Sequence, residues 1–396
     1  MTSIRHFLHT AARALLSGLL GGLVLAAGHA HAQQPVRGIT KDEILIGSLQ
    51  DLSGPAAGPG KEIRNGMQMR LDEANAQGGI HGRKLRLVIE DHGYDPKRAV
   101  LGAQKLIDRD QVFMMVGQFG SATMLATLPL LERAGMVNFF PLSSARQAFE
   151  PASPLKYAFH PADYDQIRHA LPGLMQARGL KRICAIYQDD ELGLEITRGA
   201  EAALQAQGLQ WTEKMGFKRG STDFSSQVAR AKAADCDGVV LATVVRETVG
   251  VMTEARKLGF KPVFVGTSSA YSSAIPRLGG EAVEGLYATM LVEEPYLDSP
   301  NGPLREWAAR YKARFSDDPT VFSGYGYFIL DSFVRGVQAA GPALTPASFG
   351  QAMDGLRIPP SLFGTPEMRF GPQRRLGNDV ARISQIQGGR WVLLNN

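Results

Sequence analysis

The sequence predicts an α/β protein made of two doubly wound, parallel-sheet lobes. Three observations carry this. A strand–helix alternation runs from Ile44 to Phe140 and restarts at Arg182. Of 396 residues, 44% are hydrophobic and 20% are charged, enough apolar material for large cores and too much for a disordered chain. The 44 glycines and 22 prolines are scattered rather than periodic, so they read as turns between many short elements.

The elements follow in order. Residues 1–32 stand apart from the fold. Arg5 and Arg13 start a segment without acids, Ala14 to Ala27 is apolar throughout, and Ala30-His31-Ala32 offers small residues at the two positions a signal peptidase needs. This is the pattern of a secretory signal peptide cut after Ala32. The apolar run is shorter than the roughly 20 residues a membrane span takes. Cys184 and Cys236 would then enter an oxidising compartment, where they either pair or remain buried singly at strand starts.

In the first unit, Ile44–Leu49 is a strand. A helix follows with Ile63, Met67, Leu71 and Ala74 on one face, closed by Gly78-Gly79. Lys84–Glu90 alternates as a strand, and Asp95-Pro96 caps the next helix. Phe113–Gly117 is a buried strand, Ser121 opens a helix, and Met136–Phe140 is a strand stopped by Pro141. The second unit has strands at Ile183–Tyr187, Gln210–Phe217, Gly238–Thr243 and Pro262–Gly266. Helices lie between them at Leu192–Gln207, Asp223–Ala234 and Val245–Leu258. The tail has a strand-like run from Tyr287 to Val292, helices around Arg305–Phe315 and Phe328–Ala340, and a strand pair, Val380–Gln385 and Trp391–Leu394. It is too short for a third domain and is expected to complete the first two. Lobe 1 is then residues 43–160 with 294–370, and lobe 2 residues 161–293 with 371–396, with crossovers near Pro161, Glu293 and Phe370.

Open α/β sheets bind ligands outside the carboxyl ends of their strands. The loops there carry little catalytic chemistry. Gly54 to Gly60-Lys61 resembles a phosphate loop, but its spacing is one residue too long and Glu62 replaces the Ser or Thr that holds magnesium. There is no GxSxG elbow, no HExxH and no strict GxGxxG, so no enzyme, metal or cofactor is expected. No basic stripe suggests nucleic acid: the net charge of +5 falls to +3 without Arg5 and Arg13. Asp189-Asp190-Glu191 reads either as a solvated turn at a helix N-terminus or as a ligand contact. The strongest site is Gly117 to Thr123, where a buried strand meets a helix and free N–H groups plus the Ser121 hydroxyl can hold an anion. Pro141-Leu142-Ser143-Ser144 adds two hydroxyls after the next strand. Together they suit a carboxylate held by neutral donors. Ser121 also reads as a plain N-cap, and Ser143-Ser144 as a polar turn.

Several stretches form a recognisable set: Ile46-Gly47 through Leu52-Ser53-Gly54-Pro55, Asn75 through Leu85 (NAQGGIHGRKL), Asp95-Pro96-Lys97-Arg98-Ala99, Leu131-Glu132-Arg133-Ala134-Gly135 and Tyr187-Gln188-Asp189-Asp190. In these the chain resembles the periplasmic solute-binding proteins of leucine/isoleucine/valine type, the receptors of ABC importers, from about residue 43 to the end. The resemblance implies the type I periplasmic binding protein fold with a three-strand hinge, a periplasmic monomer, a membrane permease as partner and a ligand held by cleft closure. It implies a ligand-binding set of Gln118, Phe119 and Ser121 after the third strand, Leu142, Ser143 and Ser144 after the fourth, and Tyr164, Asp189, Thr243 and Ser268 in the second lobe.

The departures are equally specific. In the family the second lobe offers tyrosines and an acid to the ammonium of an α-amino acid; the matching positions here are Leu192, Val244, Val245 and Ser268. The family's first-lobe cysteine pair, near Tyr94 and Gly120, is absent. An unpaired ammonium in a closed cleft would cost several kcal/mol. The expected ligand is therefore a carboxylate-bearing solute without an α-ammonium, unless Asp163, Asp189 or Glu247 supplies the acid. Two other classes stay open: a ligand-sensing domain for a membrane signalling partner, and an exported α/β hydrolase.

Overall fold

The computed structural model describes residues 36–394, so the signal peptide expected over 1–32 lies outside the described residues. The first sheet holds β1 (Glu43–Gln50), β2 (Lys84–Asp91), β3 (Met115–Val116), β4 (Asn138–Phe139) and β5 (Lys156–Tyr157). All are parallel, in the order β2-β1-β3-β4-β5. The second holds β6 (Ile183–Gln188), β7 (Glu213–Phe217), β8 (Gly238–Ala242), β9 (Val263–Gly266) and β10 (Tyr287–Met290), parallel in the order β10-β9-β8-β6-β7. The two orders have the same pattern, and in each the order reverses at the first strand. A small antiparallel pair, β11 (Arg357–Ile358) and β12 (Met368–Arg369), stands alone. The terminal strands β13 (Arg382–Gln387) and β14 (Arg390–Leu393) extend the second sheet antiparallel beyond β10.

Eleven helices of the described residues cover these sheets. They are α1 (Ala57–Ala76), α2 (Pro96–Gln104), α3 (Ser121–Arg133), α4 (Asp163–Arg178), α5 (Glu191–Gln205), α6 (Ser225–Ala233), α7 (Val245–Lys257), α8 (Ala274–Gly279), α9 (Gly302–Phe315), α10 (Val321–Ala340) and α11 (Pro346–Gly355). Local chemistry sets their starts. The Asp95 carboxylate takes the N–H groups of Lys97 and Arg98 at 2.8 and 2.9 Å before Pro96-led α2. Asp190 caps α5 in the same way, and Thr320 forms a reciprocal capping box with Ser323 at α10.

The tail divides between the sheets. Helix α10 is buried along most of its length and packs on α1, with Gly66 and Gly326 at the contact. A Cβ at Gly66 would strike the Ser323 carbonyl, and one at Gly326 the Ile63 carbonyl, so only glycines permit this approach. Beneath α10, the rings of Phe139, Phe140, Tyr157, Phe159 and Phe370 pack with Phe328 of the helix in one cluster, stacked, tilted or edge to face at 4.1–6.3 Å. Residues Arg375 and Gly377 then run beside Ala158 before the chain enters β13.

Helix α4 lies between Phe140 and Arg182, where the strand–helix alternation pauses and no helix is expected. Its signals are present: acids in the first turn, Ile167, Leu171, Leu174 and Met175 on one buried face, and Gly179 in the left-handed region at its end. Pro172 inside it masks the period. Strands β3 and β4 are shorter than expected, and β5 spans two residues, too few for alternation to show. The cysteines left open by the sequence do pair: Cys184 on β6 bonds Cys236 beside the start of β8, with Cα atoms 6.0 Å apart.

Candidate functional site

The strand order reverses at β1 in one sheet and at β6 in the other, which places a crevice at the carboxyl ends of the strands. A cavity of about 320 Å³ lies there, at the small end of the range for small-molecule sites. Its lining is built from strand-end loops. Pro55 and Ala56 follow β1, Phe119 to Ser121 follow β3, Leu142 and Ser144 follow β4, and His160 follows β5. Leu192 follows β6, Val244 to Arg246 follow β8, and Ser268, Ser269 and Ser272 follow β9. Phe322 and Tyr325 enter from α10, Glu62 from α1 and Arg277 from α8.

The phosphate-loop lookalike after β1 is already filled by the chain itself. The Asp51 carboxylate takes the N–H groups of Gly54 at 2.5 Å and Ala56 at 2.7 Å, so an internal anion occupies the turn. The free donors lie after β3. Gly120, at φ +99°, turns the chain into α3, and a Cβ there would meet the Tyr94 ring at 2.9 Å. Its N–H goes to the Leu142 carbonyl. The next three N–H groups, of Ser121, Ala122 and Thr123, begin the helix and have no helical acceptor. The Ser121 hydroxyl accepts from the Ser144 N–H at 3.1 Å and the Ser143 hydroxyl at 3.4 Å, which leaves its own hydrogen to donate. Helix α7 also begins at the cavity without a side-chain cap. The potential there favours an anion.

His160 sits buried under the cavity, and burial pushes its imidazole down to a pKa of about 4, so it is neutral. One ring nitrogen meets the Pro161 carbonyl at 3.0 Å and the other the Ser268 hydroxyl at 3.1 Å. With Nδ1–H donating to Pro161, Ser268 donates to Nε2 and keeps only acceptor capacity toward the cavity. Rings form a continuous wall: Tyr94–Phe119 and Phe119–Phe322 at 6.2 Å, Phe322–Tyr325 at 6.0 Å, Tyr325–His160 at 6.1 Å.

Tyr94 bridges the two halves. Its φ of 58° is held because its N–H donates to His92 Nδ1 at 2.9 Å, while His92 Nε2 meets the Phe119 carbonyl at 3.0 Å. From the second half, Arg219 donates to the Tyr94 carbonyl at 3.2 Å and lies 5.0 Å over its ring. The same guanidinium grips the Asp190 carboxylate at 2.8 and 3.0 Å.

Five of the ten residues expected from sequence line the cavity: Phe119, Ser121, Leu142, Ser144 and Ser268. The other five do not line it. Gln118 bonds Asn138 and Thr127 inside the first half. Ser143 serves Ser121 and the Ala145 N–H. Tyr164 lies under the guanidinium groups of Arg146 and Arg168. Asp189 is exposed on its turn, and Thr243 bonds Thr248 at 2.6 Å. The acids considered for an ammonium also stand elsewhere. Asp163 is buried near the Ser144 and Thr267 hydroxyls, neither aligned to bond it, and desolvation pushes its carboxyl up to about 7. Glu247 pairs with Arg246 at 2.8 Å. Among the lining residues the one acid is Glu62, and the cations are Arg246 and Arg277, both from the second half. The sequence does not single out these three, nor Tyr94, His160, Phe322 and Tyr325, as lining residues: Glu62, Arg277, Phe322 and Tyr325 come from helices far apart in sequence, and His160 follows a strand of only two residues.

Known proteins agree with this architecture. A family model described as periplasmic binding protein matches residues 43–390. A Leu/Ile/Val-binding protein homolog 7 of Brucella abortus is 27% identical over 294 residues, 72% of this chain and 73% of that one. A crystal structure of a possible leucine/isoleucine/valine-binding protein from Rhodopirellula baltica superposes with a TM-score of 0.80 at 21% identity, covering 92% of this chain and 98% of that one. A solute-binding protein of R. palustris, solved with benzoate, superposes at 0.79 with 18% identity, covering 89% and 95%. These are families of solute-binding proteins of the periplasm, not of enzymes. The chain belongs to the periplasmic binding protein family.

Proposed function

We propose that this protein is the extracytoplasmic receptor of an ABC importer, a monomer that closes on a small monocarboxylate with an apolar or aromatic body and no α-ammonium. The observation that carries the reading is the mismatch of charge in one cavity. The start of α3 with Ser121 and Ser144 offers donors to a carboxylate, while the one lining acid, Glu62, already holds Thr320 and has the Arg277 cation near it. Leu142, Leu192, Val244 and Val245, facing the ring wall, suit a hydrocarbon body. The benzoate held by the R. palustris protein, a carboxylate on an aromatic ring, has this chemistry. The Brucella relative's name argues for a branched-chain amino acid instead.

Binding proceeds by closure without chemistry. The solute enters the open crevice, its carboxylate meets the α3 N–H groups, and Tyr94 with Arg219 seals the rim. The loaded receptor then docks on a membrane permease. A thermal-shift screen tests this with aliphatic and aromatic monocarboxylates, their amides and α-amino acids. At a hundredfold excess over Kd a ligand stabilises the fold by about 2.7 kcal/mol. The reading expects the melting temperature to rise with the acids alone. A rise with α-amino acids and not with their deaminated acids overturns it.

A further inference from the structure

The cavity has a second polar end. Glu62, on the second turn of α1, lines it, and one carboxylate oxygen takes the Thr320 hydroxyl at 2.5 Å. Among the described residues, no group donates to the other oxygen. Opposite, from the second half, Arg277 lines the same space, is exposed, and forms no ion pair among the described residues. It lies near enough to pull the Glu62 carboxyl down, yet burial prevails and holds that carboxyl up at about 7. Glu294, itself buried, is held up chiefly by burial and in part by the Glu62 charge. Thr320, which binds Glu62, caps α10 two residues before Phe322, and Phe322 packs on Phe119, beside the donors at α3.

We propose that Glu62 and Arg277 form a specificity pole that recognises a neutral hydroxyl carried by the ligand at the end opposite its carboxylate. This rests on the carboxylate reading above. A hydroxyl both donates and accepts, so it satisfies the free Glu62 oxygen and the Arg277 guanidinium together. A ligand ammonium would meet Glu62 but lie against Arg277; a second carboxylate would pair with Arg277 but lie against Glu62. Either leaves a like-charge contact in a partly desolvated space. The neutral group avoids both, and omitting it leaves the pole unpartnered, which is how a buried polar site rejects an analogue lacking one hydroxyl.

The experiment is titration calorimetry of the protein with benzoate, phenylacetate and 3-phenylpropanoate, and with their para-hydroxy counterparts, which vary the span between the two ends. For the best-fitting span, the hydroxylated probe is expected to bind about tenfold tighter than its parent. Glu62→Ala and, separately, Arg277→Met should bring the two probes to within about threefold of each other. Unchanged melting temperatures without ligand establish that the variants fold, and Glu62→Gln, which keeps an acceptor for Thr320, provides a milder second variant. Parent acids that bind while no hydroxylated probe binds tighter overturn the pole and leave the carboxylate reading standing. A preference that survives in both Glu62→Ala and Arg277→Met likewise overturns the pole alone. No binding by any of the six probes overturns both.

Discussion

Equivalent strand-end loops bring different chemistry to the two sides of the cavity. After β3 and β4, in the first half, stand Ser121, Ser144 and the free N–H groups of α3. In the second sheet Val244 and Val245 stand after β8, the equivalent of β3; Ser268, Ser269 and Ser272 stand after β9, the equivalent of β4; and Leu192 stands after β6, with Arg246 and Arg277 further out. The strand order is the same in both sheets, so topology explains where the cavity lies and not what it prefers. Preference comes from a few side chains at loop positions. The covalent reinforcement is also one-sided: the disulfide joins β6 to the entry of β8, and among the described residues the first half has none.

The largest expected effect concerns that reinforcement. Cys184 and Cys236 are 52 residues apart, and closing such a loop stabilises by about 4 kcal/mol in the chain-entropy picture. Urea unfolding with and without reductant should show that loss, in the transition that melts the second sheet. Equal stability with the bond reduced would remove this difference between the halves.

The next concerns the donors of the first half. Ser121→Ala should weaken a bound monocarboxylate by roughly 1.5–3 kcal/mol, the scale of a hydrogen bond to a charged group. Calorimetry that finds Ser121→Ala unchanged, with Leu192→Ala costing more, would invert the comparison.

The junction between the halves carries a pH signature. Burial pushes Glu294 up to about 8, and Asp163 and Glu62 up to about 7. Each releases its proton more readily in the unfolded chain, so each draws stability down as pH rises through the folded value. His160 and His92, pushed down to about 4, act oppositely, adding stability as pH rises toward 6.5 and little above it. Between pH 6.5 and 8.5 the carboxyls prevail, and stability should fall on the order of 2 kcal/mol. Denaturant titrations across this window check it, and Glu294→Gln should flatten the fall. Stability that rises over the same window would place these carboxyls in water.

The smallest effect expected is at the rim. Arg219→Ala removes the stack on Tyr94 and should cost about 1 kcal/mol of ligand affinity, as faster release rather than slower capture. Stopped-flow kinetics separates the two rates; a change confined to capture would deny Arg219 a part in the closed state.

How much was legible follows from how each residue is delivered. Ser121 and Ser144 could be found because each lies one turn past a buried apolar strand, and a strand end is visible in sequence. Asp95-Pro96 marked α2 by cap chemistry alone. Glu62, Arg277 and Tyr325 could not be found that way: each sits inside a helix pattern, where a polar residue reads as a solvated face until the neighbouring helix is known. Asp51 filling the turn after β1 was likewise invisible, since the turn sequence alone looks open to an outside anion. Gln118 and Thr243 were misplaced by the opposite fault. They sit at strand ends, but their side chains turn to internal partners, Gln118 to Asn138 on β4 and Thr243 to Thr248 on α7.

The central claim is that the cavity takes a carboxylate without an α-ammonium, and the most direct test is one calorimetric comparison. The protein is titrated with 3-phenylpropanoate and with phenylalanine, which differ only by the ammonium, and with 4-methylpentanoate against leucine as the aliphatic pair. The account predicts that the deaminated acid of at least one pair binds, and that its amino-acid partner binds at least about a hundredfold more weakly, the scale of an unpaired buried charge. Tighter binding of leucine or phenylalanine than of their deaminated partners would contradict it and point to an acid that closes on the ammonium.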